Sequence, residues 1–405
     1  MNKISRKEFL TTTGAALTGL HALGYSSVLG ANNTINLGII GTGSRGNYIA
    51  QVVKQIPSLK LIACCDVREE NLEEGLSHAA SNAKGYSEYQ KLLDNQEVDA
   101  VVIATPLHLH YTMARDALQV GKHVYCEKTM TYSIEEAQKL ADLVNNSPAT
   151  FQVGYQHRHN PLYQRIYEVI SEGNIGPISY VECTWNRNGD WRRPVTDPSL
   201  ERLINWRMYR EYSQGLMAEL CSHQIDIVNW ILDEVPEKVS GFGGIDYWDD
   251  GRETYDNVHT VFEYPSGIKG KYSSITTNAH EGYSITFYGK KATIEIRDLS
   301  GHQAAIYAEQ QPQSQEESDD ADAITKPTNK AWQQGEAIPI KVKGQAGSDV
   351  GPTRMAFEHF VDCVLNDKQP QSNITNGHNS AICVLMGNSA MRNGTIETWK
   401  KEYAI

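Results

Sequence analysis

Cysteine is scarce in this sequence, and its placement gives no sign of a disulfide framework. The 405 residues include 7 cysteines, an odd number, and no two have the C-x-x-C spacing of a metal knuckle. Cys64, Cys65 and Cys126 lie inside apolar, strand-like runs, where cysteine behaves as a small buried hydrophobe. We therefore predict neither a disulfide framework nor a metal site.

Positive charge is also in deficit. The chain has 37 Lys and Arg against 49 Asp and Glu, a formal net charge of -12. Nucleic-acid-binding proteins usually display a basic patch, so we do not expect nucleic acid as a partner. With 40% hydrophobic and 21% charged residues the composition is that of a globular protein, and the length suits two domains.

A long hydrophobic run is missing, although the N-terminus has a modest one. Residues 3–10 are basic, and the apolar stretch 14–31 is interrupted by His21, threonines and glycines, so we expect no stable membrane span. A basic start, an apolar stretch and a small-residue exit are the parts of an export signal. We predict a twin-arginine-like signal over 1–31, with Lys7 replacing the second arginine, and a periplasmic or exported protein. The alternatives are a tail or a subunit-clasping arm on a cytoplasmic protein.

The first half of the sequence alternates short apolar strands with helical segments. The predicted strands are Ile35–Ile40, Leu59–Cys65, Ala100–Ala104, His123–Cys126 and Thr150–Gly154. Continuous apolar strands separated by helices are typical of a parallel sheet that is covered on both faces. We predict an α/β domain of the Rossmann type over residues 32–155.

The second half has longer, alternating strands. These are Ile178–Asn186, Lys238–Ile245, Val258–Glu263, Ile268–Thr276, Tyr283–Tyr288 and Ala292–Ile296. The pattern predicts an α+β domain with an open, mainly antiparallel sheet over 156–350. Residues 309–336 are polar and acidic and suggest a mobile insertion, and 351–405 return to helices that we expect to pack back on the core.

A glycine motif follows the first strand and opens a helix. In Gly41-Thr-Gly43-Ser-Arg-Gly46, the glycines permit a tight turn, a close backbone approach to a pyrophosphate, and close packing of helix on strand. Asp66 ends the second strand, where it can accept hydrogen bonds from ribose hydroxyls and repel a 2′-phosphate. NAD is therefore the expected cofactor and NADP is less favoured, although Arg68 lies close enough to soften that preference.

Residues 99–130, DAVVIATPLHLHYTMARDALQVGKHVYCEKTM, resemble the signature of the glucose–fructose oxidoreductase / inositol dehydrogenase (Gfo/Idh/MocA) family. The likeness extends from about residue 35 to the C-terminus. It implies that Lys128 reaches the reacting hydroxyl beside the nicotinamide, with Thr129 standing where the family has proline. The family's helix with an acid and a histidine corresponds to Glu219 and His223, with Glu219 replacing the usual Asp. Arg158 matches a position that lines the nicotinamide and the substrate.

These observations predict two sets of site residues. The expected cofactor site consists of Gly41, Thr42, Gly43, Ser44, Arg45, Gly46, Asp66, Arg68, Thr105, Pro106, His110, Glu127 and Lys128. The expected substrate residues are Arg158, Asn186, Trp191 and Asp226, within a region rich in tryptophan and arginine at 185–212. An oligomer interface or loop anchoring is the alternative for this region.

Glu219, His223 and Asp226 stand at i, i+4 and i+7 of an otherwise apolar helix, so they form one enclosed polar stripe. Enclosed ionisable groups on one stripe are a candidate site. We expect His223 to act as general base, Lys128 to stabilise alkoxide charge, and Glu219 to orient His223. The alternatives are a buried structural network or metal ligation, for which a fourth ligand is not evident.

Together these features predict an NAD-dependent enzyme that oxidises a ring hydroxyl of a sugar, glycoside or polyol through tightly bound NAD. The alternative is glycoside cleavage by oxidation, elimination and re-reduction. A binding protein that has kept the fold is a third reading, against which the retention of both Lys128 and His223 argues. We expect a small-molecule substrate and a homo-oligomer, either a dimer or a tetramer.

Overall fold

The computed structural model describes residues 33–297, 303–309, 335–340 and 351–405. Its first half is a six-stranded parallel sheet with strand order β3-β2-β1-β4-β5-β6. The strands are β1 Ile35–Ile40, β2 Leu59–Cys65, β3 Lys84–Tyr86, β4 Ala100–Ile103, β5 His123–Cys126 and β6 Phe151–Val153. The helices between them are α1 Ser44–Val53, α2 Glu69–Ser77, α3 Tyr89–Leu93, α4 His110–Gln119 and α5 Ile134–Asn145.

The central strands of this parallel sheet are buried on both faces. Every residue of β4 is buried, and so are all residues of β1 except Asn36. Strands buried on both faces require helices above and below the sheet, and the crossover helices provide them. The carboxyl ends of β1, β2, β4 and β5 therefore meet at one edge of the sheet, where the glycine turn, Asp66, Thr105 and Glu127 follow them.

The second half is built on a mixed sheet that comprises nine strands in the described part of the chain. They are β7 Ile178–Trp185, β8 Lys238–Gly244, β9 Asn257–Glu263, β10 Lys269–Ile275, β11 Tyr283–Gly289, β12 Ala292–Ile296, β13 Ala304–Ala308, β14 Ala337–Pro339 and β15 Glu397–Thr398. Neighbouring strands are antiparallel except for the central pair, β7 and β10, which is parallel. The helices of this half are α6 Pro161–Ser171, α7 Glu201–Ile204 and α8 Ser222–Leu232.

Two helices near the C-terminus join the halves. In α9, Pro352–Asn366, the side chains of Phe357 and Phe360 pack on Tyr125 of the first sheet. The longer α10, Ile374–Asn393, packs against α5 on one side and α8 and β8 on the other. Because α10 contributes to the cores of both halves, it fixes the relative placement of the two sheets.

The predicted fold class, a Rossmann domain followed by an α+β domain with a mainly antiparallel sheet, is confirmed. Some elements differ from those predicted: β3, β13, β14 and β15 were not anticipated. The predicted export signal over 1–31 lies outside the described residues, as do residues 310–334 of the predicted insertion. No helix in the described ranges has the length and apolar character needed to cross a membrane.

A buried ion pair crosses the second half. The Arg158 guanidinium donates two hydrogen bonds of 2.8 Å to the Asp226 carboxylate, and both side chains are at most 5% exposed. Ser380 adds a hydrogen bond to Asp226, and the Trp230 ring lies 5.3 Å from the guanidinium carbon. The expectation that Arg158 and Asp226 contact the substrate is therefore wrong, because each is committed to the other in the protein interior.

We predict that replacing Arg158 with Met lowers the free energy of unfolding by about 3–5 kcal/mol, since Asp226 is then left buried without a partner. The matched control is Arg158→Met combined with Asp226→Leu, which removes both charges and is expected to recover most of the loss. Chemical denaturation measures all three proteins. A double variant no more stable than the single one would contradict this account.

Candidate active site

A cavity of about 1010 Å³ lies along the carboxyl edge of the first sheet and continues to the second half. The predicted cofactor residues that line it are Gly41, Gly43, Ser44, Arg45, Asp66, Arg68, Thr105, Pro106, His110, Glu127 and Lys128. Thr42 and Gly46, also predicted, are not among its lining residues. Lys128, Glu219 and His223, the three predicted catalytic residues, line the same cavity.

The glycine turn has the geometry that a dinucleotide requires. Gly41 adopts φ +89, and a Cβ on Gly46 would lie 1.9 Å from the Gly41 carbonyl oxygen, so Gly46 serves packing rather than ligand contact. A Cβ on Gly43 would meet no atom closer than 3.9 Å, and Gly43 is the N-cap residue of α1, where no side chain caps the helix. The first N–H groups of α1 therefore lie at the cavity wall with the positive end of the helix dipole, which suits a pyrophosphate.

Asp66 is fixed by three donors. Its carboxylate accepts hydrogen bonds of 2.9 Å from the backbone N–H groups of Thr42 and Arg68, and a longer one from Asn71. A carboxylate has about four acceptor sites, so capacity remains for a ribose hydroxyl in the cavity. These residues fit the adenosine half of NAD.

A salt bridge joins the glycine turn to the Glu-Lys segment. The Arg45 guanidinium lies 2.7 Å from the Glu127 carboxylate, which is buried, and it also donates to Thr353 of α9. The sequence indicated both Arg45 and Glu127 but gave no sign that they pair. Their pairing neutralises Arg45 and holds the side chain of Glu127, the residue before Lys128.

Lys128 is held by backbone carbonyls of the second half. Its Nζ donates to the carbonyl oxygens of Ala218 at 3.3 Å and Glu219 at 3.1 Å. An ammonium has three donors, so one remains for a ligand in the cavity. Burial lowers the pKa of Lys128 below its usual value, although the negative charges of Glu219 and Glu127 oppose that effect.

His110 joins the two loops beside the cavity. Its ring nitrogens lie 2.9 Å from the carbonyl oxygens of Thr129 and Thr105, which follow β5 and β4 respectively. Burial lowers the pKa of His110, while these two carbonyls act in the opposite direction. The predicted cofactor residue His110 is thus a buried tie between the two segments as well as a lining residue.

His223 is enclosed by rings. Those of His157, Trp185 and Tyr155 lie 5.3, 5.8 and 5.9 Å from it, centroid to centroid. Burial lowers the pKa of His223 well below its usual value, and the positive charge of Lys128 adds to the effect. Its Nδ1 has no hydrogen-bond partner among the described residues. A neutral imidazole at a cavity wall is available to accept a proton.

Glu219 does not orient His223, contrary to our expectation. Its carboxylate accepts a hydrogen bond of 2.7 Å from Arg207. Burial would raise the pKa of Glu219, but the positive charges of Arg207 and Lys128 outweigh it and lower the pKa to about 2. The reason is local: residues Met217–Cys221 form a π-helical turn, in which i and i+4 no longer lie on one stripe.

None of the four predicted substrate residues lines the cavity. Besides the Arg158–Asp226 pair, Asn186 donates to the carbonyl oxygen of His280, and Trp191, at φ +63, packs against the core of the second half. The residues of the region 185–212 that do line the cavity include Trp185, Arg187, Arg193, Trp206, Arg207 and Tyr212. The sequence indicated this region as a whole but carried no signal for choosing among its members.

Metal ligation by these groups finds no support in the described ranges, where no cluster of three or more His, Cys, Asp or Glu residues could hold a metal ion. In the sequence pairs His108/His110 and His157/His159, the two members do not share a site, because they have different contacts. His110 bridges two carbonyls, His157 lies beside His223, and His159 lies against His359.

Two family models match the chain in succession. Residues 35–155 match the model described as "Oxidoreductase family, NAD-binding Rossmann fold". Residues 167–398, more than half of the chain, match "Oxidoreductase family, C-terminal alpha/beta domain". The boundary between the two models falls between β6 and β7.

Curated relatives and solved structures agree with these matches. An uncharacterized oxidoreductase of Bacillus subtilis, YrbE, is 29% identical over 49% of this chain and 54% of its own length, so the chain spans about half of that relative. Inositol 2-dehydrogenase of Rubrobacter xylanophilus is 26% identical over 67% of this chain and 74% of its own length. The structure of levoglucosan dehydrogenase in complex with NADH and L-sorbose has a TM-score of 0.74 at 17% identity, covering 92% and 100% of the two chains.

The two glycines of the turn predict separable effects. Gly46→Ala is expected to destabilise the fold by about 1–3 kcal/mol, because its Cβ would overlap a carbonyl oxygen. Gly43→Ala should change stability by no more than about 1 kcal/mol but weaken NADH binding, since the methyl group occupies the space for the pyrophosphate. Thermal unfolding and fluorescence titration with NADH measure the two effects. Unchanged NADH affinity in Gly43→Ala would show that the dinucleotide lies elsewhere.

Proposed function

Because the chain belongs to the Gfo/Idh/MocA oxidoreductase family, whose N-terminal domain is an NAD-binding Rossmann fold, we propose that it oxidises a ring hydroxyl of a sugar, glycoside or polyol with tightly bound NAD. Family membership confirms the resemblance inferred from residues 99–130. The observation that carries the proposal is that Lys128 and His223 line one cavity with the glycine turn and Asp66.

The residues around Lys128 suit the handling of a hydroxyl group. When bound, NAD supplies the hydride acceptor. The third N–H of Lys128 donates to the reacting hydroxyl oxygen and stabilises negative charge as it develops there. His223, neutral because of its lowered pKa, accepts the hydroxyl proton and returns it to solvent.

Glu219 acts through charge rather than through His223. Ionised and beside Lys128, its carboxylate favours the ammonium form that the proposed mechanism needs, although burial favours the neutral amine. Arg207, which binds Glu219, keeps that carboxylate ionised. The two residues thus support the charge of Lys128 from the second half of the chain.

A sugar or polyol substrate is supported by the names of the relatives. One curated relative is an inositol 2-dehydrogenase, and a structural neighbour is levoglucosan dehydrogenase. The substrate end of the cavity carries Trp185 and Trp206, and aromatic faces suit the apolar faces of a sugar ring. Export through residues 1–31 and assembly into a homo-oligomer are further proposals. An exported enzyme needs bound NAD, because free NAD is scarce outside the cytoplasm.

The test is to incubate the purified protein with a panel of glycosides and inositols in deuterated water, with and without added NAD, and to identify the products. We expect a keto-sugar or ketone, and we expect Lys128→Ala to abolish it while retaining NADH binding. Arg165→Gln, on the outer surface of α6, is a control with the same loss of charge. Release of free sugar that carries deuterium next to the oxidised carbon would overturn the proposal in favour of glycoside cleavage.

The pKa shifts predict a bell-shaped dependence of kcat/KM on pH. Activity falls on the acidic side as His223 becomes protonated, with an apparent pKa below 6.5, and on the basic side as Lys128 loses its proton, with one below 10.5. Initial rates across pH measure both limbs. His223→Asn is expected to remove the acidic limb, and Lys128→Arg to move the basic limb to higher pH, because a guanidinium stays protonated. An unchanged acidic limb in His223→Asn would show that another group is the base.

A further inference from the structure

The part of the cavity formed by the second half is basic, in a protein whose formal net charge is -12. The charged residues that this half contributes to the lining are four arginines, at 187, 193, 202 and 207, and one carboxylate, Glu219. Such a local excess of positive charge needs an explanation, because the chain as a whole is acidic.

The arginines divide into paired and unpaired ones. Arg207 is bound to Glu219, and Arg202 lies 3.2 Å from both Glu211 and Glu253. Arg187 and Arg193 form no salt bridge with any residue in the described ranges. Their guanidinium groups therefore bring positive charge to the cavity that no salt bridge within the described part of the chain neutralises.

Arg187 lies close to the proposed chemistry. Its guanidinium carbon is 5.6 Å from the centroid of the Trp185 ring, and that ring is 5.8 Å from the ring of His223. The backbone N–H of Arg187 donates to the carbonyl oxygen of Ile275 at 2.8 Å, which extends the sheet past the end of β7. Arg187 is thus positioned from a rigid strand end, one ring away from the candidate general base.

Arg193 is positioned by a buried clamp. The side chain of Asn205 accepts a hydrogen bond of 2.7 Å from the Arg193 backbone N–H and donates one of 3.0 Å to its carbonyl oxygen. Asn205 is 3% exposed and immediately precedes Trp206, which lines the cavity. The loop at Arg193 is therefore tied to the same wall of the cavity as Trp206.

We propose that the substrate is an anionic sugar or glycoside, and that Arg187 and Arg193 bind its carboxylate or phosphate group. This inference rests on the proposed function and names its substrate class. A planar guanidinium presents donors in a fork that matches both oxyanions. The anionic group is separate from the reacting hydroxyl, which lies at Lys128 and His223, so the two arginines orient the ring by its far side.

The test compares substrates in matched pairs with the full-length protein and NAD. Methyl β-D-glucuronide is compared with methyl β-D-glucoside, methyl β-D-galacturonide with methyl β-D-galactoside, and glucose 6-phosphate with glucose. We expect kcat/KM to be at least about tenfold higher for the anionic member of one pair. The pair that shows the preference distinguishes a carboxylate from a phosphate.

The arginine variants locate the effect. Arg187→Gln and Arg193→Gln should each lower kcat/KM for the preferred anionic substrate by about 10- to 100-fold and change that for its neutral partner by less than about threefold. Arg165→Gln removes a charge from the outer surface and should change neither. Arg187→Lys, which keeps the charge without the fork, should retain an intermediate preference.

Calorimetric binding of the same compounds separates this inference from the proposed function. Binding of an anionic glycoside that depends on Arg187 but is followed by no oxidation would support the inference and refute the proposed function. Equal kcat/KM within every pair would overturn the inference and leave the proposed function standing. An equal loss for both members of a pair, with weaker NADH binding, would place the arginines on the cofactor and overturn the inference.

Discussion

Lys128 and Thr129 leave the first sheet after β5 and reach the carbonyl oxygens of a helical turn in the other half. Lys128 Nζ donates to Ala218 and Glu219, and Thr129 Oγ1 donates to Ala218 at 3.1 Å. The acceptors lie in the π-helical turn, and a π-turn inserted in a helix is frequent at functional sites. These bonds bring the Lys128 ammonium beside His223. The part of the cavity that holds both residues therefore forms only where the two halves meet.

The contact between the two halves depends on α10, which contributes side chains to the hydrophobic cores of both. Gly377 on this helix faces Val153 and Met130 of the first half, and Gly387 faces Met217 of the π-turn. A Cβ at either position would lie closer than 3.0 Å to a neighbouring side chain, so the helix packs tightly on both sides. Helix α10 thus fixes the position of the π-helical turn relative to the first half, although the two lie far apart in sequence.

Much of the fold could be predicted from sequence because its signals are local. Continuous apolar strands, the spaced glycines and an acid at a strand end each follow from short-range rules. Three features were out of reach. The π-turn adds one residue to a helix whose apolar pattern still looks α-helical. The pattern therefore did not reveal that Glu219 turns toward Arg207. The partnership of Arg158 with Asp226 spans 68 residues and depends on tertiary packing, and the choice among the arginines depends on which carboxylates fold against them.

The difference between the predictable and unpredictable residues follows from how the two parts of the cavity are built. Lys128 and His223 lie at or beside the ends of regular elements, whose geometry is set by hydrogen bonds common to any parallel sheet or helix. Arg187 lies two residues past the end of β7, whereas Arg193 belongs to an irregular segment held by individual contacts such as that of Asn205. Loops on a rigid scaffold tolerate change more readily than the scaffold does. The charge of the loop around Arg193 can therefore differ between relatives while the proposed hydroxyl chemistry at Lys128 stays the same.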